Sequence, residues 1–542
     1  MQSEGTLRRK IKKELDSIQM LNSNSDSNLE INEIADTNFY NCTPSISTDY
    51  LSQTVTLCSQ NIPLSQKVVS SIDSKNETNE LCNNLTDEVH HNDGLLQIFT
   101  ETPSESTDNT SFKDDLCRWV IECNVPQTTP GHYYHFGLEE GIIRHASSYN
   151  LSEIKLMIGI DGLPIAKSSN SQLWPILAYI ENITKIVFPV GIYHGYSKPK
   201  NSNVFLDDFI SETKNLIANG IVLNNCTIKV SISGFICDSP AKAFILQLKG
   251  HSRFSSCTRC IQVGEYYKNR VCYPYCNFSL KRTHETYVKK IYEEHHIGDT
   301  LSRLIEIPGI DIVRMFPLDY MHLVALGVVK KLILLWLHTG PVQVRIPGRR
   351  INALSTSLLN IKSCIPSDFP RKTRVIQDFG RYKASELRFF ILYIGPIVLK
   401  NIITEDSYTN FMALHVAIII LISPDYSCYL NYAKELLNYF VKSFEIIYSR
   451  QNISQNVHCL LHLTDDYEHF GPLDNCSAFP FENFMKELKS KIRKHEKPLE
   501  QLINRYKELY KLPVTLPNVS IVLPIMTKKH KNGPLVDNIK GI

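Results

Sequence analysis

An α/β fold interrupted by a long, mainly helical block is the class this sequence predicts, on three observations. Short runs rich in branched and aromatic residues recur between residues 151 and 240, separated by polar segments, as buried strands require. Apolar positions at helical spacing then dominate long stretches between residues 320 and 450. The first 115 residues carry neither pattern and are dominated by Ser, Asn, Thr and Asp, as in "NSNSDSNLE" and "SKNETNELCNNLTDE".

Taken in order, residues 1–115 are a leader with too little apolar surface to offset the entropy of ordering, so disorder is expected there. The leader opens with a short helix, Met1 to Met20, carrying a basic cluster at Arg8, Arg9, Lys10, Lys12 and Lys13. Order is expected from about Leu116. Leu156 to Asp161, Trp174 to Ile180 and Val187 to Tyr193 read as three strands, Val204 to Ala218 as a helix, and Thr227 to Asp238 as a fourth strand. Pro240 opens a second helix that runs through Leu248, proline being tolerated in a first helical turn. Three strands, helix, strand, helix is the opening order of a ribonuclease-H-like domain, so residues 116–250 are assigned to the first part of such a core. Residues 251–470 form the insertion, with helices at Tyr320 to Leu337, Glu386 to Lys400, Phe411 to Leu421 and Tyr429 to Tyr448. Residues 471–510 return to the core through a helix at Phe481 to Lys494, and residues 511–542 form a tail. The expected whole is a mixed sheet flanked by helices, split by the helical insertion.

Composition narrows the function classes. The chain has 542 residues, 43% of them hydrophobic, enough for a sizeable core. No run of eighteen apolar residues occurs, and the best candidate, Phe411 to Ile422, contains His415, so a buried helix is expected rather than a membrane span. The N-terminus lacks the apolar stretch of a secretion signal, and 15 scattered cysteines then read as reduced thiols in an intracellular protein. Charge is unevenly placed: residues 1–115 carry 8 Lys and Arg against 19 Asp and Glu, and residues 116–542 carry 50 against 36. A basic body suits a polyanionic partner.

Two strands end alike. "IGID" delivers Asp161 and "FICD" delivers Asp238, each at the carboxyl end of a hydrophobic strand, where α/β folds place their working groups. Adjacent carboxylates repel unless a cation lies between them, and Mg²⁺ or Mn²⁺ suits a site of few carboxylates that keeps room for water and phosphate. Either aspartate alone could equally be a helix cap. "SAFPFENFMKELK" supplies a third acid, Glu482, among Phe479, Phe481 and Phe484, while Glu487 lies on another face. "CTRC" places Cys257 and Cys260 at half-site spacing for Zn²⁺, with His251, Cys272, Cys276 or His284 as partners. "LDYMH" sets Asp319 and His322 one turn apart, able to orient one another or meet the metal centre. His458 and His462 in "HCLLH" share a helix face and are taken as core or DNA-facing residues rather than metal ligands. Lys486, Lys489, Lys491, Arg493 and Lys494 could track DNA phosphates.

Five phrases in order, "GIDGLPIAKSSNSQLWPIL", "GFICDSPAKAF", "KGHSRFSSCTRC", "PLDYMHLVALGVVKKL" and "FGPLDNCSAFPFENFMKELK", resemble the transposase of CACTA (En/Spm-like) DNA transposons and the transposase-domain proteins derived from it. The similarity runs from about Tyr133 to Lys494. It implies a DDE/D enzyme whose acids fall on Asp161, Asp238 and Glu482, with the family's Cys-x-x-Cys on Cys257 and Cys260 and its Asp-x-x-His on Asp319 and His322. Mg²⁺-dependent cleavage and strand transfer at transposon ends, a nuclear location and a homo-oligomer are the further expectations. The alternative is a domesticated, non-catalytic DNA-binding or regulatory protein. In this chain only "PQTTP" separates "LCRWVIECNV" from "GHYYHFGL", where family members often carry a helical segment.

Overall fold

Eight strands form one mixed sheet in the computed structural model of the protein, which describes residues 127–511 apart from residues 129, 167 and 184. The leader with its basic cluster, the onset of order at Leu116 and the tail beyond residue 511 lie outside the described residues. The strands are β1 (Gln127–Thr128), β2 (Gly131–His135), β3 (Glu153–Ile160), β4 (Leu163–Pro164), β5 (Gln172–Ile180), β6 (Phe188–Gly195), β7 (Ile221–Leu223) and β8 (Cys226–Ile236). Their order is β1-β2-β6-β5-β3-β8-β7, with β4 attached beside β5. Only β3 and β8 run parallel. The three strands and the fourth expected from residues 156–238 are therefore β3, β5, β6 and β8; β1, β2 and β7 extend the sheet beyond them.

Alternation along these strands sorts side chains onto two faces. Ile154, Leu156, Ile158 and Ile160 of β3, with Trp174, Ile176 and Ala178 of β5, enter one core cluster. That face is covered by α1 (Leu138–Ala146), α2 (Asp207–Asn219) and α3 (Ser239–Ile245), through residues such as Leu138, Ile142, Phe209, Ile210 and Ile245. Met157, Leu173, Leu177, Tyr179 and Ile236 point the other way. The second face receives two helices from the C-terminal part of the chain, α9 (Phe479–Lys491) and α10 (Pro498–Lys511), through Phe481, Met485, Leu488, Leu502 and Ile503. The result is a sheet with helices on both sides.

Between α3 and α9 lie a two-stranded hairpin, β9 (Glu265–Tyr267) and β10 (Arg270–Cys272), and the helical block. The block includes α4 (Met321–Thr339), α5 (Glu405–Ile422), α6 (Leu430–Tyr448), α7 (Gln455–Cys459) and α8 (Leu463–Phe470), among other helices. α4 and α5 are long and apolar enough to cross a bilayer by length and composition, and both are mostly buried within the protein. His415 in α5 is a satisfied core residue, its Nδ1 donating to the Ile391 carbonyl at 2.7 Å. α4 is π-helical over Met321–Val329 and Leu335–Thr339. It touches α7 at Gly327, where a Cβ would stand 2.5 Å from Asn456 Nδ2 and 2.9 Å from the His322 carbonyl oxygen. A small residue there lets the outgoing and returning helices meet. Nearer the root, the Leu318 amide donates to Asp466 Oδ2 at 2.7 Å and ties the start of the block to its end.

Candidate functional site

The register of the parallel pair sets the first two acids. Gly159 lies opposite Ile236, so Asp161 and Asp238, each two residues further on, leave the same edge of the sheet side by side. α9 brings in the third. Phe481 lies flat over Gly159, whose absent side chain makes room for the ring, and it also meets Tyr179 at 5.3 Å between ring centroids. The next residue, Glu482, is thereby held above the end of β3. Ligand atoms of Asp161, Glu482 and His322 all lie within 4.8 Å of one another.

Asp238 does not join that cluster. Its Oδ1 accepts the Ala241 amide at 2.6 Å and caps α3, the role a lone strand-end aspartate would be given. It still acts on the cluster through charge. Burial first, then the charges of Asp238 and Glu482, hold the Asp161 carboxyl well above the ordinary carboxylate range. Burial also raises Asp238, against the opposing charge of His322.

His322 enters from the first turn of α4. Its Nδ1 is 2.6 Å from Asp319 Oδ2, and its Nε2 is 3.8 Å from Glu482 Oε1. Asp319 is buried and fully engaged: it also accepts the amides of His322 (3.1 Å), Met321 (3.3 Å) and, from the approach to α9, Ala478 (2.9 Å). One carboxylate thus fastens the start of α4, the imidazole and the start of α9 together. Burial disfavours the imidazolium, but the Asp319 hydrogen bond and the charges of Asp319, Glu482 and Asp161 outweigh it and lift His322 to about 10.

The second cluster corrects the sequence reading. Cys257 and Cys260 are joined by His458 and His462, all four buried, and none of His251, Cys272, Cys276 or His284 completes the set. Cys272 Sγ faces the Glu265 carbonyl, Cys276 is exposed beside the Phe278 carbonyl, and His284 Nδ1 accepts the Ile312 amide. His458 and His462 are therefore not simply core or DNA-facing residues. Their Nε2 atoms are 3.4 Å apart, the two Sγ atoms 3.6 Å, and the cross distances are 3.7 Å (Cys257 to His462) and 3.3 Å (Cys260 to His458). A tetrahedral zinc with ordinary bond lengths separates its ligands by about 3.8 Å for S and S, about 3.5 Å for S and N, and about 3.3 Å for N and N. The arrangement is a Cys₂His₂ cluster of the size zinc takes. Burial opposes ionisation of Cys257, but hydrogen bonds from Cys260 and Cys459 and the charges of His458 and His462 pull its thiol well below the usual range.

Around this cluster, Arg282 Nε donates to the carbonyls of Cys257 and Cys260, both at 3.0 Å. Arg259, inside the Cys-x-x-Cys turn, reaches away from it to the Val313 and Phe316 carbonyls and to Asp466, with which it forms a buried ion pair. The five cations of and after α9 are not equivalent. Lys489 Nζ donates to the Pro164 carbonyl at 3.1 Å, and Lys491 pairs with Glu487 at 2.8 Å. Lys486, Arg493 and Lys494 are exposed. Comparison with protein-family models and with curated proteins finds no match to this chain.

Proposed function

We propose that this is a DDE/D-type, transposase-like protein that cleaves DNA strands and joins them in a divalent-cation-dependent reaction, acting in the nucleus as a homo-oligomer. The observation that carries this reading is the convergence of Asp161 and Glu482, from opposite ends of the core, on one cluster beside Asp238. The topology supports it: three antiparallel strands, β3, β5 and β6, with β8 parallel on the far side of β3, is the order expected of a ribonuclease-H-like core.

The donor set fits a hard divalent ion such as Mg²⁺ or Mn²⁺, because the burial of Asp161 and the neighbouring charges of Asp238 and Glu482, which raise its proton affinity, are relieved by a cation between the carboxylates. Asp161 and Glu482 would hold it, with Asp238 turning from its cap to join. When bound, the ion would activate water or a DNA 3′-hydroxyl and stabilise the leaving oxygen of an in-line phosphodiester displacement. Phe481 on Gly159 and the Asp319 fastening hold the carboxylates in place, while Lys486, Arg493 and Lys494 offer exposed charge for phosphates. The Cys₂His₂ cluster would take a structural zinc, bracing the segment after α3 against α7.

The cap made by Asp238 favours a second reading, a non-catalytic DNA-binding protein that keeps the fold. The deciding experiment is calorimetric Mn²⁺ titration of the zinc-loaded full chain and its Asp161→Asn, Asp238→Asn and Glu482→Gln variants, followed by cleavage and strand-transfer assays on DNA. Weaker binding in all three variants, with cleavage lost in each, is the expected outcome. A folded protein that binds DNA but neither Mn²⁺ nor cuts would establish the second reading.

A further inference from the structure

We propose that His322, oriented by Asp319, is itself a ligand of the cation held by Asp161 and Glu482, and that the site therefore prefers a Mn²⁺-class ion to Mg²⁺. The inference rests on the cation-binding reading above and adds to it the nitrogen donor and the metal selectivity.

The tautomer is decided by the partner. Asp319 can only accept, so Nδ1, at 2.6 Å from its Oδ2, carries the proton that is shared in that hydrogen bond. Nε2 is then the atom turned toward Glu482 and Asp161, and a cation bound there would displace to solvent the second proton that the imidazolium carries in the cation-free protein. At 3.8 Å from Glu482 Oε1, Nε2 is too far for a hydrogen bond, yet close enough for both atoms to bind one ion at about 2.2 Å. The same three side chains, and not Asp238, form the cluster whose ligand atoms lie within 4.8 Å of one another.

A carboxylate behind an imidazole is the arrangement that orients histidine ligands and raises their basicity. Here the carboxylate is immobile. Asp319 is 4% exposed and receives three backbone amides besides the imidazole, so it cannot swing into the site as a ligand. Its work is to aim the ring. Imidazole nitrogen is a ligand for first-row transition ions, whereas Mg²⁺ is held almost wholly by oxygen, so one nitrogen among the donors biases the site toward Mn²⁺ over Mg²⁺.

The test uses the full chain carrying one equivalent of zinc and freed of excess, so that His458 and His462 are occupied while the acid site is left open, and Mn²⁺ as the probe. Electron spin-echo spectroscopy of bound Mn²⁺ should show modulation from a coupled imidazole ¹⁴N in the unaltered protein. His322→Gln should remove that modulation and shrink the preference for Mn²⁺ over Mg²⁺, while Asp319→Asn should retain the modulation but weaken Mn²⁺ about tenfold. Absence of modulation in the unaltered protein already refutes the proposal, so it stays falsifiable whether or not a variant folds. Mn²⁺ that binds in an Asp161-dependent manner without ¹⁴N modulation, or with modulation that survives His322→Gln, overturns the proposal and leaves the cation-binding reading standing. Failure to bind Mn²⁺ at all overturns both.

Discussion

Gly159→Ala should damage both stability and cation binding, for a reason visible in one contact. A Cβ at residue 159 would stand 2.5, 2.5 and 2.7 Å from three ring carbons of Phe481. Carbon atoms rest at about 3.5–4.0 Å, so the ring must withdraw by roughly 1 Å. It has no free path: Phe481 is 3% exposed and packs in the core formed by Met157, Leu177, Tyr179 and Met485. The added methyl also removes a flexible glycine from a strand, a gain of about 0.5–1 kcal/mol. Overpacking costs about 1–3 kcal/mol, and a contact this close with a ring that has no free path belongs in the upper half of that range, so the net loss should be about 1–2.5 kcal/mol, read as a lower urea midpoint at unchanged slope. Because Phe481 adjoins Glu482, the same displacement lifts the third acid from Asp161, and Mn²⁺ affinity measured by calorimetry should fall. Gly234→Ala, which meets Phe470 and Met157 instead, should destabilise without that loss of affinity. Pairing Gly159→Ala with Phe481→Leu should cost less than the sum of the two changes, since the smaller side chain leaves the methyl its space. A Gly159→Ala protein within about 0.5 kcal/mol of the parent, binding Mn²⁺ as tightly, would refute the account of how α9 is seated.

Other consequences can be checked separately. The purified full chain should carry a single equivalent of zinc by mass spectrometry, lost in Cys260→Ser and His462→Ala, with stability lowered by about 3 kcal/mol or more; His251→Ala and Cys276→Ser should keep it. Asp161→Asn should raise the melting temperature of the cation-free protein, because it removes a carboxyl whose ionised form is disfavoured in the fold by burial first and by the charges of Asp238 and Glu482 next, while abolishing Mn²⁺ binding. A lower melting temperature would mean that Asp161 is held by contacts the charge balance does not describe. His295, 3% exposed and bonded to the Ser255 carbonyl at 2.6 Å, is lowered from 6.5 to about 4 by burial first and by the Arg282 charge next. The folded state favours its neutral form, so its contribution is complete above 6.5 and is lost as pH falls from there toward 4. The loss is on the order of 3 kcal/mol, and His295→Gln should flatten the dependence of the urea midpoint on pH across that window.

The parts of this architecture that were legible in the sequence are those written in local patterns. β3, β5, β6 and β8 announce themselves by branched and aromatic runs, and the polar residues that end β3 and β8 marked the sheet edge where Asp161 and Asp238 emerge. Helices α4, α5, α6 and α9 fall within a few residues of their apolar spacing, α5 beginning earlier than expected because Thr404 caps it. β2 and α1 carry weaker patterns: Leu138, Ile142 and Ala146 recur every four residues, but the intervening Glu139, Glu140 and Arg144 dilute the signal. The failure at His458 and His462 is of another kind. Cys-x-x-Cys and a pair of histidines four apart together suggest a Cys₂His₂ site, but nearly two hundred residues separate the halves, and only the folded chain decides which distant ligands meet. Asp319 shows the same limit. Its spacing to His322 was readable, whereas its hold on Ala478 was not.

The contact at Gly327 and the bond from Leu318 to Asp466 have a consequence for how this chain can change over time. The helical block leaves the sheet and returns to it at one root, where its two ends are already fastened to each other. Chain added or deleted beyond that root does not alter the distance its ends must span. Each doubling of such a loop costs only about 0.6 kcal/mol in closure entropy. The distal helices are therefore free to lengthen, shorten or acquire new surfaces, while the acids on the sheet and the cysteine and histidine cluster keep their spacing, so divergence should concentrate there.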